Sequence, residues 1–482
     1  MDARTPTTAI ADGLEPPRRY WAWASILVVL MLAVLDGSIA NVALPTIAAE
    51  FQASPSVSIW IVNGYQLAIV VSLLPLAALG EIHGYRRVYL AGIAVFTLAS
   101  LGCMLADSLP ALTAARVVQG LGAAGVMSVN TALLRYTVPA RKFGSAIGLN
   151  AFTVASASTI GPTLAGFILT WASWPWLFVI NIPLGIAAIA MGWRSLPESD
   201  RSDRPFDWKS AVLSAATIGL FITLIDSIGH KLPLPWIAGQ FAGLLAAGTL
   251  LVRRELGMKE PMLPLDLLKL PIFSLSIATS VASFVAQMLA FISLPFTLQT
   301  IMGFSPRDVG LLMMPWPLAI AVAAPIAGRL SDRHSPALLG GAGLVLLSAG
   351  LALLALLPAD ASVPDIVWRM VLCGIGFGMF QTPNNRTMVG AAPRRRSGAA
   401  SGMLGTARLT GQTTGAALVA SLLAHLGISG ATWALGVGAC FALVAACFSL
   451  GRIGLFRKAE REAAEAAAAA AARRDEDLSQ FP

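Results

Sequence analysis

The stretch LDGSIANVALP, residues 35–45, closes an apolar run, WAWASILVVLMLAV, that begins at Trp21. About 20 residues at 1.5 Å each cross a hydrocarbon core, and this run has that length. Asp36 nevertheless stands well inside it. A carboxylate at such depth costs roughly 2.5–3.5 kcal/mol on insertion scales, so it is expected to face a partner or a water-filled path. Two readings follow for Asp36. It either locks two helices together as half of an ion pair, or it loads and releases a proton and offers a counter-charge to a cation.

Runs of this kind recur along almost the whole chain. Of 482 residues, 56% are hydrophobic and 12% charged, and the mean hydropathy is +0.73. Soluble domains carry roughly 25% charged residues and do not repeat apolar runs of this length, which excludes a large soluble protein. Fourteen apolar segments stand between polar breaks, at 21–44, 58–79, 88–106, 111–135, 146–169, 176–193, 208–228, 234–252, 273–301, 309–330, 337–357, 364–387, 398–426 and 431–451. The four cysteines (Cys103, Cys373, Cys440, Cys447) each sit alone in such a run, a spacing that fits neither a zinc site nor a disulfide framework. The first apolar run is too long for a signal peptide and is read as a retained helix. Beyond the last span, KAEREAAEAAAAAAARRDED (458–477) is a strong helix former with charged ends, read as a cytoplasmic tail helix.

Basic residues fix an orientation. With the amino terminus inside, the inside segments hold 28 of the 33 lysines and arginines, and the outside loops only Lys231 and Arg307, with Arg369 near an outer helix end. Arg116 and Arg408 remain, both inside spans. One missing span would break this alternation, so fourteen helices with both termini cytoplasmic are expected. The same distribution accounts for the net charge of +8 without a nucleic-acid partner.

Two loops repeat each other. LGEIHGYRRV (79–88) follows the second segment and GRLSDRHSP (328–336) follows the tenth, each placing an acid (Glu81, Asp332) beside arginine at a helix end. Spans one to six and nine to fourteen thus form two halves with seven and eight inserted, the internal repeat of secondary transporters. The expected divisions are a tail at 1–20, a bundle at 21–193, an inserted pair at 194–270, a second bundle at 271–452 and a tail at 453–482.

On these residues the chain resembles the major facilitator superfamily, and within it the fourteen-helix drug:proton antiporter-2 branch. LDGSIANVALP resembles the branch's first-helix motif, and GEIHGYRR the superfamily loop motif with Glu81 where an Asp is usual. RVVQGLGAA (116–124) resembles the fourth-helix motif, and WPWLFVINIPLG (174–185) and GFSPRDVGLL (303–312) are further matches. The fifth-helix antiporter motif is present as Gly148, Gly161, Pro162 and Gly166, with Ala157 and Ala165 where glycines are usual. The overall pattern is most similar to exporters of quaternary ammonium and methyl viologen-type cations. The resemblance implies an all-α integral membrane fold of two six-helix bundles plus two inserted helices. It also implies a monomeric transport unit in a bacterial inner membrane, with protons as coupling ion and no cofactor.

The candidate residues fall into groups. Asp36 and Arg116 lie at similar depth in helices running opposite ways and are read as the proton-coupling or cation site, the coupling role of Arg116 being implied by the resemblance. Glu81, Gly84, Arg86, Arg87, Asp332 and Arg333 set topology by charge, and the resemblance adds a latch between the halves. Gly148, Gly161, Pro162 and Gly166 allow close packing and bend the fifth helix. Amides and aromatics in the spans are candidates for a substrate cavity: Asn41, Tyr65, Gln66, Asn130, Asn150, Asp226, Gln287, Phe296, Trp316 and Gln381, with Trp60, Gln299 and Asn384 behind them. Aromatic faces suit large hydrophobic cations, while aromatics at helix ends also serve as interfacial anchors. Arg408 is a second deep arginine with no acid in evident reach, which disfavours a cation nearby or receives an anion.

Three functions compete. The first is proton-coupled efflux of lipophilic or quaternary ammonium cations by alternating access; the absence of GxxxxGK[ST] argues against ATP as direct energy source. The second is export of a neutral or anionic metabolite on the same fold. The third, a membrane-embedded enzyme, needs a nucleophile, paired acids or a metal at membrane depth. His83, His230, His334 and His425 fall in loops or at span ends and no metal-binding cluster is evident, so a transporter and not an enzyme is expected.

Overall fold

The structure is a computed structural model and describes residues 13–202, 205–229, 231–258, 267–331, 333–358, 360–391 and 397–479. Within these, the side chains of Gly148, of 397–401 and of 456–479 are among those outside the described residues. Apolar runs have to satisfy every backbone N–H and C=O internally in a bilayer, and each does so as a helix. Fourteen long helices follow: α1 Arg18–Glu50, α2 Pro55–His83, α3 Tyr85–Met104, α4 Leu109–Thr137, α5 Ala140–Trp171 and α6 Trp176–Ser195. Then come α7 Trp208–Gly229, α8 Leu234–Leu256, α9 Pro271–Ile301, α10 Pro306–Leu330 and α11 Pro336–Ala355. The last are α12 Val363–Ala391, α13 Ser397–Leu426 and α14 Ser429–Ser479.

Thirteen of these pass as membrane spans by length and apolarity among the described residues. The other is α13, a 30-residue helix rich in Gly, Ser and Thr that also carries Arg408. Protein neighbours on several sides let such a helix cross where lipid contact would not. The tail is helical, and no break separates it from the last span: α14 runs on through the alanine-rich segment to Ser479. Nothing between 452 and 466 interrupts a helix, since that segment has neither proline nor a glycine beyond Gly454.

The packing repeats with a shift of eight spans. In the first half α1 packs on α5 and α6, α3 on α4 and α6, and α2 on α4; in the second, α9 packs on α13 and α14, α11 on α12 and α14, and α10 on α12. Glycines set the register of the repeat. A Cβ on Gly122 of α4 would stand 2.8 Å from the Gly92 carbonyl of α3, and one on Gly343 of α11 would stand 2.6 Å from the Gly376 carbonyl of α12. The inserted pair breaks the symmetry. α7 packs on both α2 and α13, at one of the two seams between the halves, and α8 packs on α7.

Most basic loops and the start of α1 lie on one side, called here the basic side. The halves close on each other at the opposite side, where α5 meets α10. There a Cβ on Gly166 would stand 2.8 Å from the Pro306 carbonyl and 3.1 Å from Arg307 Cα, a contact only glycine permits. Thr163 Oγ1 donates to the Gly310 carbonyl at 3.3 Å, and Gln299 Nε2 of α9 donates to the Val42 carbonyl of α1 at 3.0 Å.

Candidate functional site

Asp36 sits in α1 where that helix passes α3, α4 and α6, and it is 3% exposed. Its Oδ2 accepts from Arg116 Nη1 of α4, the two forming an ion pair. Its Oδ1 accepts from Gln119 Nε2 at 3.0 Å and from Asn181 Nδ2 of α6 at 2.8 Å. Arg116 and Gln119 are spaced i, i+3 and therefore share a helix face. Arg116 Nη1 also donates to Gln119 Oε1 at 2.6 Å, and Nε donates to the Ile61 carbonyl of α2 at 3.1 Å. Gln119 Nε2 reaches Ser100 Oγ of α3 at 2.8 Å. The Arg116 guanidinium lies over the Tyr65 ring, 4.1 Å from its centroid, while the Tyr65 hydroxyl donates to the Ala33 carbonyl at 3.1 Å.

Five helices thus converge on one carboxylate that is satisfied by three donors. A buried ion pair repays its desolvation only when hydrogen bonds complete its geometry, and this one has them. Two groups remain unpaired beside it, Arg116 Nη2 and Asn181 Oδ1. The network belongs to the first half alone. Counting six and three residues back from Gly122 gives Arg116 and Gln119; the same count from Gly376 gives Met370 and Cys373, both fully buried.

The structure brings Asp36, Arg116 and Tyr65 together. It adds Gln119, Asn181 and Ser100, which the sequence reading did not single out. Gln119 and Asn181 stood inside the quoted RVVQGLGAA and WPWLFVINIPLG stretches, and a polar side chain in an apolar span was the available signal.

The other candidates are placed apart from this cluster. Asn150 Nδ2 donates to Asn130 Oδ1 at 2.7 Å, joining α5 to α4. Gln66 Nε2 reaches Met288 Sδ at 3.8 Å across the halves, and its Oε1 has no partner. Asn41 is buried with an unpartnered Oδ1. Phe296 and Trp316 lie in the main hydrophobic core, Trp316 against Phe291 with ring centroids 5.1 Å apart. Asp226 accepts from Trp60 Nε1 at 3.2 Å, tying α7 to α2. Gln287 is buried and Gln381 half-buried. Asn384 donates to Ser280 Oγ at 2.8 Å and accepts from Arg452 Nη1 at 2.7 Å.

The loop motif closes on its own half. Gly84 has φ +97°, which ends α2 and turns the chain into α3. The Glu81 carbonyl accepts from Ser202 N at 2.7 Å, and Ser199 Oγ accepts from Tyr85 N at 3.0 Å. Arg86 lies 3.7 Å from Glu198, and Arg87 is exposed. Asp332 lies outside the described residues, and Arg333 is exposed. In the fifth helix Gly161 faces Ser38 of α1, while Pro162 and Gly166 face Gly310, Pro306 and Arg307 of α10. Among the described residues no cluster of His, Cys, Asp and Glu has the geometry to hold a metal.

A family model described as Major Facilitator Superfamily matches residues 26–416 and 275–476. The chain is 53% identical over 445 residues to the uncharacterized transporter YebQ of Escherichia coli K12, covering 92% of this chain and 97% of that one. It is 31% identical to the riboflavin transporter RibZ of Clostridioides difficile, covering 84% of this chain and 88% of that one. It is 32% identical to the multidrug resistance protein Stp of Mycobacterium tuberculosis, covering 82% of this chain and 74% of that one.

Proposed function

The chain belongs to the major facilitator superfamily, and from that premise we propose that it exports amphipathic organic molecules in exchange for protons, by rocking of its two halves. The proposal puts the basic side in the cytoplasm of a bacterial inner membrane, following the charge rule for loops. Relatives named for multidrug resistance and for riboflavin transport support a small organic substrate.

One observation carries the coupling role: a carboxylate at membrane depth whose three donors come from two other helices, α4 and α6. A proton taken up by Asp36 removes the negative charge that holds Arg116 Nη1, Gln119 Nε2 and Asn181 Nδ2, and so weakens these contacts. Losing such a contact frees α1 from α4 and α6. Two residues on, Ser38 lies against Gly161 of α5, with Ser38 Cβ 3.0 Å from where a Cβ would stand. Gly161 is little more than one turn from Gly166 at the closed seam with α10. Movement of α1 therefore reaches the seal through α5. The driving force is charge movement, about 2.3 kcal/mol per charge per 100 mV, together with the pH difference.

Lipophilic and quaternary ammonium cations are the class implied by the sequence resemblance, and aromatic faces receive such cations without an acid. Both Asp36 oxygens are occupied in this conformation, so its proposed role is coupling, not substrate counter-charge. The test is proton flux in reconstituted vesicles under an imposed pH gradient. Substrate-triggered proton movement in the wild type, lost in a folded Asp36→Asn variant, supports the proposal; equal flux in both removes Asp36 from the coupling.

A further inference from the structure

We infer that the transported molecule carries an anionic group, and that Arg408 of α13 is the residue that recognises it. This rests on the transport reading above and names its substrate class.

Arg408 lies near the middle of α13, and its helical phase places it between two contact faces. On one side Gly405 and Leu409 meet α2: a Cβ on Gly405 would stand 3.6 Å from Leu73 Cδ2, and Leu409 packs in the cluster that holds Tyr65, Ile69 and Leu73. On the other side Gly411 and Gly415 meet α9, with Phe284 Cβ and Met288 Cβ 2.8 and 2.9 Å from the positions their own Cβ atoms would take. Arg408 therefore points to the seam where the two halves face each other. Its Nε is buried with no hydrogen-bond partner, and no carboxylate among the described residues pairs with it.

A structural role would look different, and the same half supplies the comparison. Arg452 is fully buried, likewise without an acid, whereas Arg408 is half-buried. Its guanidinium is satisfied by Ser276 Oγ at 2.7 Å, Asn384 Oδ1 at 2.7 Å and Ser449 Oγ at 2.8 Å, which pins α9, α12 and α14 together. Among the described residues Arg408 has no such set. A half-buried cation at membrane depth without partners is costly, so its partner comes from outside the chain. The acid that balances the other mid-membrane arginine, Asp36, is already committed to Arg116 and does not offset Arg408.

A second donor faces the same seam. Gln66 of α2 gives its Nε2 only to the Met288 thioether, a weak acceptor, and Oε1 has no partner. Met288 borders Gly415, two turns along α13 from Arg408, or about 10 Å at helical rise. An organic molecule with an acid at one end and a polar atom about two helical turns away reaches both donors.

The test uses one ring with three charges: coumarin-3-carboxylate, coumarin-3-carboxamide and a trimethylammonium derivative of the same coumarin. Binding to purified full-length protein is read by fluorescence, and transport by proton flux in vesicles. The expected result is at least tenfold tighter binding of the carboxylate than of the other two. Arg408→Gln abolishes that preference, and Arg408→Lys, which keeps the charge, retains most of it. If Arg408→Gln does not fold, the wild-type order and the Arg408→Lys variant still decide. A wild type that prefers the trimethylammonium compound, or binds all three alike, overturns the inference, as does an unchanged preference in Arg408→Gln. Arg408-dependent binding of the carboxylate without proton flux for any compound upholds the inference and defeats the antiport reading.

Discussion

Asn181 Nδ2 donates to Asp36 Oδ1 at 2.8 Å and so ties the sixth span to the first at a buried carboxylate. A hydrogen bond to a charged group is worth about 1.5–3 kcal/mol. Asn181→Ala should therefore shift the pH dependence of substrate-driven proton flux and lower the flux about tenfold or more, while leaving the Arg116 contact in place. An unchanged pH profile would make Asn181 a packing residue.

Removing one member of the Asp36–Arg116 pair leaves a buried charge alone, at a cost of about 3–5 kcal/mol. Arg116→Gln should lower the melting temperature in detergent more than the double variant Asp36→Asn/Arg116→Gln does. Additive losses would mean that the two residues do not stabilise each other.

Gly166 admits the α10 backbone so closely that a branched side chain has to separate the helices. Gly166→Val should open the side away from the basic loops. In a background with all four cysteines replaced by serine, a cysteine at Met302 should then react several-fold faster with a membrane-impermeant maleimide. No change in rate would place the seal elsewhere.

Gly84 turns α2 into α3 at φ +97°, a conformation disfavoured for side chains. Gly84→Ala should cost about 1–2 kcal/mol of stability, measured by thermal unfolding, and loosen the hydrogen bond between Tyr85 and Ser199. Wild-type stability in Gly84→Ala would show that the turn tolerates a Cβ.

Asp207, just ahead of α7, is pushed up by burial, but hydrogen bonds from Arg254 and Ser210 outweigh this and hold its carboxyl below the usual range. A carboxyl depressed in the folded state stabilises at pH above its unfolded value, about 3.9, and loses that contribution as pH falls through the folded value. The pair is partly exposed, so the gain is about 1 kcal/mol or less. Asp207→Asn should melt slightly lower than wild type at pH 7 and converge with it as pH falls through the depressed folded value. A gap that persists at low pH would assign the loss to packing.

Much of the fold was legible because bilayer physics writes itself into composition. Run length, the basic loops and the paired motifs at Glu81 and Asp332 gave the helix count and the two halves. The pairing of Asp36 with Arg116 was readable only as similar depth on opposed helices. Gln119 and Asn181 could not be joined to that pair, since nothing in a helix's own sequence says which neighbour it will meet. For the same reason Phe296 and Trp316, plausible on a cavity wall, turned out to be core.

The sequence by itself determined that this chain crosses the membrane many times, in two related halves, with charged residues held at depth. Hydrophobic length and the cost of burying charge are local properties, and each span carries them alone. Only the tertiary structure decided that Asp36 is spent on Arg116, Gln119 and Asn181 while Arg408 finds no acid among the described residues. Whether a buried charge is satisfied depends on atoms from other helices arriving within about 3 Å, and packing alone brings them there.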